Sequence, residues 1–435
     1  MPNARKKAID CLLRCERGGF SNLVLLQELA SSGLDARDRG FCTALVYGTL
    51  SRKLTADSIL SSCLDRPLAK LDAEVLEILR AGVYQIFWMD SVPARAAISE
   101  SVDLCRAFRK SSAAGLVNAV LRRCSALELE SVINSASDEN EKVSLRYSVC
   151  PELAEMFRRQ YGTGAEEILA SFFEPSDTYL RVNTLITDED SAIAHLKDEG
   201  IETEKTELPG CLRIVSGFSG RSSMITSGEV RIQSLPAQFA AHAVNAVPGD
   251  TLLDMCSAPG GKTMCLAQDM HNEGRLIALD SSPRRLELVR KAASRERINI
   301  VETICSDASE YHSDMQFDAV LCDVPCSGYG EMASKPELRY KSPAVSEPLP
   351  EIQYSILCNA ARMVRDGGRI VYSTCTVLER ENRDVIDRFL AEHRQFRLAL
   401  PEMVPSFASV DRDMISFVPG KGGSEGFFVA AMVKI

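Results

Sequence analysis

Asp254-Met255-Cys256-Ser257-Ala258-Pro259-Gly260-Gly261-Lys262-Thr263 joins a short apolar run, Thr251–Cys256, to an amphipathic one, Lys262–Met270. An apolar run, a glycine-rich turn and a helical pattern in that order mark a strand entering a helix in a wound α/β sheet. The glycines let backbone N–H groups approach a ligand at the helix start. The tail Gly261-Lys262-Thr263 imitates a phosphate-binding P-loop, but that loop needs a glycine where Cys256 stands. The stretch therefore speaks for a ligand-binding sheet and against a nucleoside triphosphatase.

Downstream, the same alternation repeats. Strands are expected at Leu276–Asp280, Ile300–Cys305, Phe317–Cys322, Arg369–Ser373 and Phe427–Val433, with helices at Pro283–Arg295, Glu351–Arg365 and Glu379–Glu392. This predicts a mainly parallel, doubly wound sheet with its ligand site at the carboxyl ends of the strands. Upstream, Tyr179–Val182, Cys211–Val215 and Glu229–Ile232 read as short strands of a small α+β segment. Residues 4–127 are helical in pattern nearly throughout: Ala8-Leu12-Leu13, Leu23-Leu26-Leu29 and Val75-Ile78-Leu79-Val83 keep helical spacing. Breaks fall at Gly18-Gly19, Ser32-Gly33 and Asp90–Pro93, so about five to seven helices are expected. Ser135–Lys142 reads as a linker or helix connection, and Pro151–Phe173 as helical again. The expected division is a helical domain over 1–140, a helical linker with a small α+β subdomain over 141–235, and the wound α/β domain over 236–435.

The 435 residues are 45% hydrophobic and 25% charged, enough apolar material for several cores. No apolar run approaches the length of a membrane span, so no membrane partner is expected. Arg5-Lys6-Lys7 is followed by Asp10, Arg14, Glu16 and Arg17, which spoils any export signal. The 15 cysteines are odd in number and show no CxxC pairing, which predicts free thiols, a cytoplasmic protein and no metal site. The net charge of −10 divides into +5 over residues 1–127 and −15 over the rest, so only the N-terminal part is suited to meet phosphate.

The chemistry sits at the strand ends. Asp280 follows Gly260 by twenty residues, where an acid accepts hydrogen bonds from ribose hydroxyls. Asp307 and Asp323 follow the next two strands. Such an acidic rim suits ribose hydroxyls, an adenine amine and a cationic sulfur better than a pyrophosphate. Each acid taken alone could instead cap the following helix. Asp323-Val324-Pro325-Cys326-Ser327-Gly328 and Tyr372-Ser373-Thr374-Cys375-Thr376 each put a cysteine just past a strand end, whereas Cys322 lies inside a strand as a structural thiol would. Two thiols, an acid and a glycine loop match methylation at position 5 of cytosine, a weak nucleophile. A thiolate adding to position 6 makes the ring an enamine able to attack a methyl sulfonium. An acid near ring nitrogen 3 stabilises the developing charge, and a base then removes the position 5 proton so that the thiol leaves. One cysteine and one carboxylate suffice for attack, and the second cysteine suits elimination. The base must first leave its stack.

Residues 254–263, 323–328 and 372–376, with Arg181-Val182-Asn183, Gln353, Gly367-Gly368, Glu381-Asn382 and Gly426-Phe427-Phe428, closely resemble the RNA cytosine-5 methyltransferases of the NOL/NOP/Sun family. Tyr47-Gly48, Tyr84-Gln85 and Val117-Asn118-Ala119-Val120-Leu121-Arg122 resemble a NusB-like RNA-binding domain. The two together are the layout of family members acting on the small ribosomal subunit. The resemblance implies a multidomain chain: an all-α NusB-like domain, an α+β segment of RNA-recognition type and a Rossmann-like methyltransferase domain using S-adenosyl-L-methionine. It implies Cys375 as nucleophile, Cys326 as the cysteine that releases methylated RNA and Asp323 as the acid that contacts the base. Cys256, Ser257, Ala258, Pro259, Gly260, Gly261, Lys262, Asp280, Arg285, Asp307 and Asp323 match the cofactor pocket. The implied substrate is 16S ribosomal RNA, free or in a small-subunit assembly intermediate, and a monomer is expected. The same chemistry on transfer RNA and a non-catalytic assembly factor are the alternatives; the latter would lack Cys375 or the glycine loop, and both are present. A DNA cytosine methyltransferase would attack with Cys326 and would need no second cysteine. A small-molecule methyltransferase would need no N-terminal domain. The chain departs from the family in having Ser234 after Gln233, Glu425 before Gly426, and no Asn-rich turn after Asp280.

Overall fold

The computed structural model describes residues 3–30 and 32–435. They form two compact units, and neither is one continuous stretch of chain. One holds the residues up to Phe173 together with Met332–Pro343; the other holds Glu174–Glu331 and Ala344–Ile435.

The first unit is helical: Ala4–Glu16 (α1), Ser21–Ala30 (α2), Ala36–Ser51 (α3), Lys53–Cys63 (α4), Ala73–Trp88 (α5), Ala94–Ala107 (α6) and Ala114–Cys124 (α7). Then come Leu129–Asn134 (α8), Glu139–Tyr147 (α9), Pro151–Tyr161 (α10) and Ala165–Ser171 (α11). Local chemistry fixes their starts. The Asn3 and Asp35 side chains accept the N–H groups of Lys6 and Asp38, and Asp138 accepts that of Glu141. That last cap corrects one expectation. The polar stretch Ser135–Lys142 is a connection only to Asp138, and its charged second half is the first turn of α9. One face of each of α1, α3, α4, α5 and α7 enters a shared core that includes Leu12, Leu45, Ile59, Ile78 and Val120, all fully buried.

The segment Met332–Pro343 belongs to this helical unit through polar anchors. The Arg339 guanidinium is fully buried, donates to the carbonyls of Tyr147 and Phe172, and lies 4.3 Å from the Phe173 ring centroid. The Tyr340 hydroxyl accepts from the Lys53 N–H and donates to the Leu50 carbonyl, and the Ser21 hydroxyl donates to Glu337 at 2.8 Å. Burial without a carboxylate partner pushes the Arg339 pKa down to about 10.

The second unit opens with Tyr179–Val182 (β1), Glu189–Asp198 (α12), Glu202–Lys205 (β2), Cys211–Ser216 (β3), Ser223–Ser227 (α13) and Val230–Ile232 (β4). This βαββαβ order, with antiparallel strands arranged β2-β3-β1-β4, is the ferredoxin-like arrangement. Leu180, Val182, Leu196 and Leu212 fill its own core.

The α/β sheet follows. Its strands are Thr251–Asp254 (β5), Arg275–Asp280 (β6), Val301–Cys305 (β7), Phe317–Asp323 (β8), Val364–Thr374 (β9), Phe396–Leu398 (β10), Ser409–Asp411 (β11), Met414–Phe417 (β12) and Phe427–Lys434 (β13). The order is β11-β12-β13-β9-β8-β5-β6-β7, with β10 added beside β13. The pairs among β9, β8, β5, β6 and β7 are parallel; β13 and everything beyond it is antiparallel. Helices Leu235–His242 (α14), Gly261–Asp269 (α15) and Pro283–Arg295 (α16) contribute to the core on one face. Leu349–Met363 (α17) and Arg383–Glu392 (α18) contribute to the core on the other. Residues alternate between these cores along each strand: Leu253, Ile277, Val320 and Ile370 enter one, while Leu252, Leu276, Leu321 and Val371 enter the other. The strand order reverses between β5 and β8, because the chain winds outward through β6 and β7 and then returns to the far side of β5. The crevice at such a reversal is where ligands bind in sheets of this class.

Candidate active site

The glycine loop leaves β5 at that reversal. Gly260, at φ +104°, turns the chain into α15 in a conformation that side-chain-bearing residues avoid. Ser257 pins the loop to β6, its N–H and hydroxyl both donating to the Leu279 carbonyl at 2.7 and 2.8 Å. Ala258-Pro259 is a cis peptide. Cys256 lies two residues past the end of β5, and burial pushes its thiol well above the ordinary range, helped by Cys322 and then by the carboxylates of Asp254, Asp323 and Asp280.

Asp280 is nearly buried; it accepts the Ser282 N–H at 2.8 Å and pairs with Arg285 at 3.1 Å. Arg285 also donates to the Ala258 carbonyl at 2.7 Å, so it ties the glycine loop to the second strand end. Asp307 is exposed and turned onto its own loop, where the Ser309 hydroxyl and N–H donate to it and hold its carboxyl below the ordinary range. For Asp280 and Asp307 local capping and a rim position thus coexist.

Lys262 does not reach for phosphate. Its ammonium lies 2.7 Å from Asp323, and the Ser373 hydroxyl donates to the other oxygen of the same carboxylate at 2.8 Å. Asp323 and Ser373 are direct neighbours across the β8–β9 ladder, which is why the contact forms. Burial works against the Lys262 charge, but Asp323 outweighs it and holds the amine above its ordinary range. With its lysine neutralised and three acids nearby, the crevice offers acceptors and little positive charge. That donor set fits ribose hydroxyls, an amine and a sulfonium, as S-adenosylmethionine would present, and fits a pyrophosphate poorly.

Asp254 was not singled out by its place in the sequence. It is fully buried, accepts the Thr263 hydroxyl at 2.7 Å through one oxygen and leaves the other without a partner. Burial pushes its carboxyl up to about 7, against the Thr263 hydrogen bond and with the help of the Asp323 carboxylate.

The two cysteines past β8 and β9 come together. Cys326 Sγ and Cys375 Sγ are 3.1 Å apart, and both residues are half-buried. The hydrogen bond from Cys326, then burial, pushes the Cys375 thiol well above the ordinary range. Gly330 follows on the Cys326 loop: its N–H donates to the Cys375 carbonyl at 3.0 Å, and its carbonyl accepts the Gly426 N–H at 2.9 Å. A Cβ on Gly330 would stand 1.9 Å from the Gly426 oxygen, so only glycine permits this interlock. Arg181 and Asn183 lie elsewhere. Both are buried, Arg181 pairing with Asp269 and bonded to Gln268 at the end of α15, and Asn183 bonded to the Gly228 and Glu296 carbonyls. They hold the ferredoxin-like segment to the sheet domain.

Comparisons with known proteins speak to the family and the fold. A family model described as 16S rRNA methyltransferase RsmB/F matches residues 241–433, one described as NusB family matches 2–126, and one described as a Methyltr_RsmF/B-like, ferredoxin-like domain matches 153–219. The chain is 34% identical to the "Probable ribosomal RNA small subunit methyltransferase B" of Bacillus subtilis (strain 168), over 99% of both chains. It is 30% identical to the "Ribosomal RNA small subunit methyltransferase B" of Thermus thermophilus, over 99% of this chain and 98% of that one. Among solved structures, PH0851 superposes with a TM-score of 0.86 at 24% identity, covering 100% of this chain and 99% of that one. NSun6 from Pyrococcus horikoshii gives 0.60 at 22%, covering 65% and 97%. At these identities the two structures speak for the fold.

Proposed function

The chain belongs to the 16S rRNA methyltransferase RsmB/F family and is accordingly an S-adenosylmethionine-dependent RNA methyltransferase, and from that premise we propose that it methylates position 5 of a cytosine in 16S ribosomal RNA through a covalent cysteine adduct. The observation that carries this reading is the pair of sulfurs 3.1 Å apart at the ends of β8 and β9, beside the Asp323 carboxylate. Two thiols that close have a use in covalent addition and elimination.

S-adenosylmethionine, when bound, supplies a methyl group on a positively charged sulfur. Asp280 and the backbone of the loop Cys256–Lys262 are the groups assigned to hold it, with Asp307 at the rim. Arg285 is assigned to the same pocket, where it fixes the loop against Asp280. Cys375 gives up its proton as its sulfur bonds to position 6 of the ring. That proton passes to solvent, which leaves Cys326 free to act as the base in the later step. Asp323, oriented by Lys262 and Ser373, is assigned to the ring nitrogen where charge develops. After transfer, Cys326 assists loss of the position 5 proton, the bond from Cys375 to position 6 breaks and the methylated base is free.

Single substitutions separate the two thiols. With labelled 16S transcript and S-adenosylmethionine, Cys375→Ala is expected to yield neither methylated RNA nor a covalent complex on a denaturing gel. Cys326→Ala is expected to transfer methyl and then stall, leaving a protein–RNA band. A band for Cys375→Ala alone reverses the roles; activity retained by both variants removes the covalent mechanism.

A further inference from the structure

Each cysteine is bracketed by hydrogen bonds to the residues on either side of it, and both brackets come from one turn. Glu381 and Asn382 are neighbours in the chain, just before α18, and both are buried. Around Cys326, one Glu381 carboxylate oxygen accepts the Ser327 N–H at 2.8 Å and the Gln353 side-chain amide at 3.0 Å. The same Gln353 amide donates to the Pro325 carbonyl at 2.9 Å. Around Cys375, the Asn382 side chain accepts the Thr374 hydroxyl at 2.5 Å and donates to the Thr376 carbonyl at 3.0 Å. The hydroxyls of Ser327 and Thr376 meet at 2.8 Å and lock the two brackets together, and the Tyr372 hydroxyl donates to the Glu381 carbonyl.

This arrangement is costly. Glu381 is fully buried, its second oxygen has no hydrogen-bond partner, and no ion pair neutralises it among the described residues. A buried carboxylate left half-satisfied is retained where it does something a packed apolar residue would not. Here it fixes a loop whose neighbouring residue carries a reactive sulfur. Sub-ångström placement of a nucleophile changes rate, because reacting atoms must sit in near-attack geometry.

We propose that Glu381 and Asn382 are a paired positioning device: Glu381, with Gln353, sets the backbone that carries Cys326, and Asn382 sets the backbone that carries Cys375, so that each governs the step its own cysteine performs. The inference rests on the roles assigned to the cysteines above, and its core is independent of which cysteine does which. Each bracket residue must copy, in weaker form, the defect of the cysteine it holds.

The test is a single-turnover assay on the full-length protein with labelled 16S transcript and S-adenosylmethionine, reading adduct formation and adduct decay separately. Asn382→Ala is expected to slow adduct formation about tenfold with no accumulation, as a lost hydrogen-bonded placement would. Glu381→Ala is expected to form the adduct at nearly the normal rate and to release it about tenfold more slowly, so that the band accumulates. Glu381→Gln keeps an acceptor for the Ser327 N–H and is expected to restore release. Asn382→Asp keeps the acceptor for Thr374 and loses the donor to Thr376; it carries the test if Asn382→Ala does not fold. Cys326→Ala and Cys375→Ala run alongside. If those two do not part, the assignment of roles to the cysteines falls. If they part while both bracket variants slow formation and decay alike, or Glu381→Gln behaves as Glu381→Ala, the positioning device is overturned.

Discussion

A single buried carboxyl illustrates how the site trades stability for polarity. Asp254 ends β5 under full burial, and its carboxyl is raised to about 7. A carboxyl whose pKa is higher folded than unfolded holds its proton more tightly in the folded state. Its contribution to stability is therefore complete below the unfolded value near 4 and is lost as pH rises through about 7, with a slope of at most about 1.4 kcal/mol per pH unit. Asp254→Asn keeps an acceptor for the Thr263 hydroxyl and removes the ionisation. The variant is expected to gain thermal stability over the native protein at about pH 7.5 by more than it does at about pH 5. An equal difference in Tm at the two pH values would mean that Asp254 does not titrate in this window. The sequence marked Asp254 and the Glu381–Asn382 pair only as matches to the family's motifs and gave neither a role, because nothing in the local pattern says that these side chains are buried. Their burial is a tertiary fact. The places of the two cysteines and of Asp280, Asp307 and Asp323 were legible, since each stands at or just past the end of an apolar run and so at the ligand edge of a wound sheet.

Among elements, the parallel strands were readable for a physical reason: buried on both faces, they are written as nearly continuous apolar runs. The antiparallel end of the sheet was not. The strands β11 and β12 are short, and β11 is exposed along its length. Their two-residue turn, Arg412-Asp413, holds both residues at positive φ, 49° and 59°, without the glycine or asparagine that usually announces such a turn. The strand β2, Glu-Thr-Glu-Lys, is mostly exposed and carries no apolar alternation. Least legible was Met332–Pro343, whose pattern does not say which unit it packs on. Its anchor gives a prediction. Arg339→Ala strands the Tyr147 and Phe172 carbonyls and empties the space beside Phe173, which costs about 3 kcal/mol. The single tryptophan, Trp88, ends α5 inside the same unit and reports its unfolding. The urea midpoint followed by Trp88 emission should fall clearly in the variant; an unchanged midpoint would make the segment a passive passenger.

At the scale of the whole molecule, the chain is interleaved: the helical unit contains residues from both sides of the sheet's first four parallel strands. Its basic surplus and the acidic remainder are therefore separated in sequence more cleanly than they are in the fold. The interleaving has a consequence for how the protein is made. A ribosome finishes Phe173 well before it reaches Pro343, and at about 5–20 residues per second the gap amounts to roughly 10–30 s. Throughout that interval the helical unit lacks Arg339 and Tyr340, while Leu50, Tyr147 and Phe172 hold carbonyls meant for them. Synthesis thus imposes an order: the helical unit waits, incomplete, until the strands β5 to β8 have been made. Nascent chains arrested at Leu321 should leave Trp88 open to proteolysis, and chains arrested beyond the natural end should protect it. Equal protection at both points would show that the N-terminal helices mature on their own. If the order holds, the N-terminal helices reach their final packing only late in synthesis, and a chain cut short before Met332 carries a helical unit that stays unfinished however long it is given to fold.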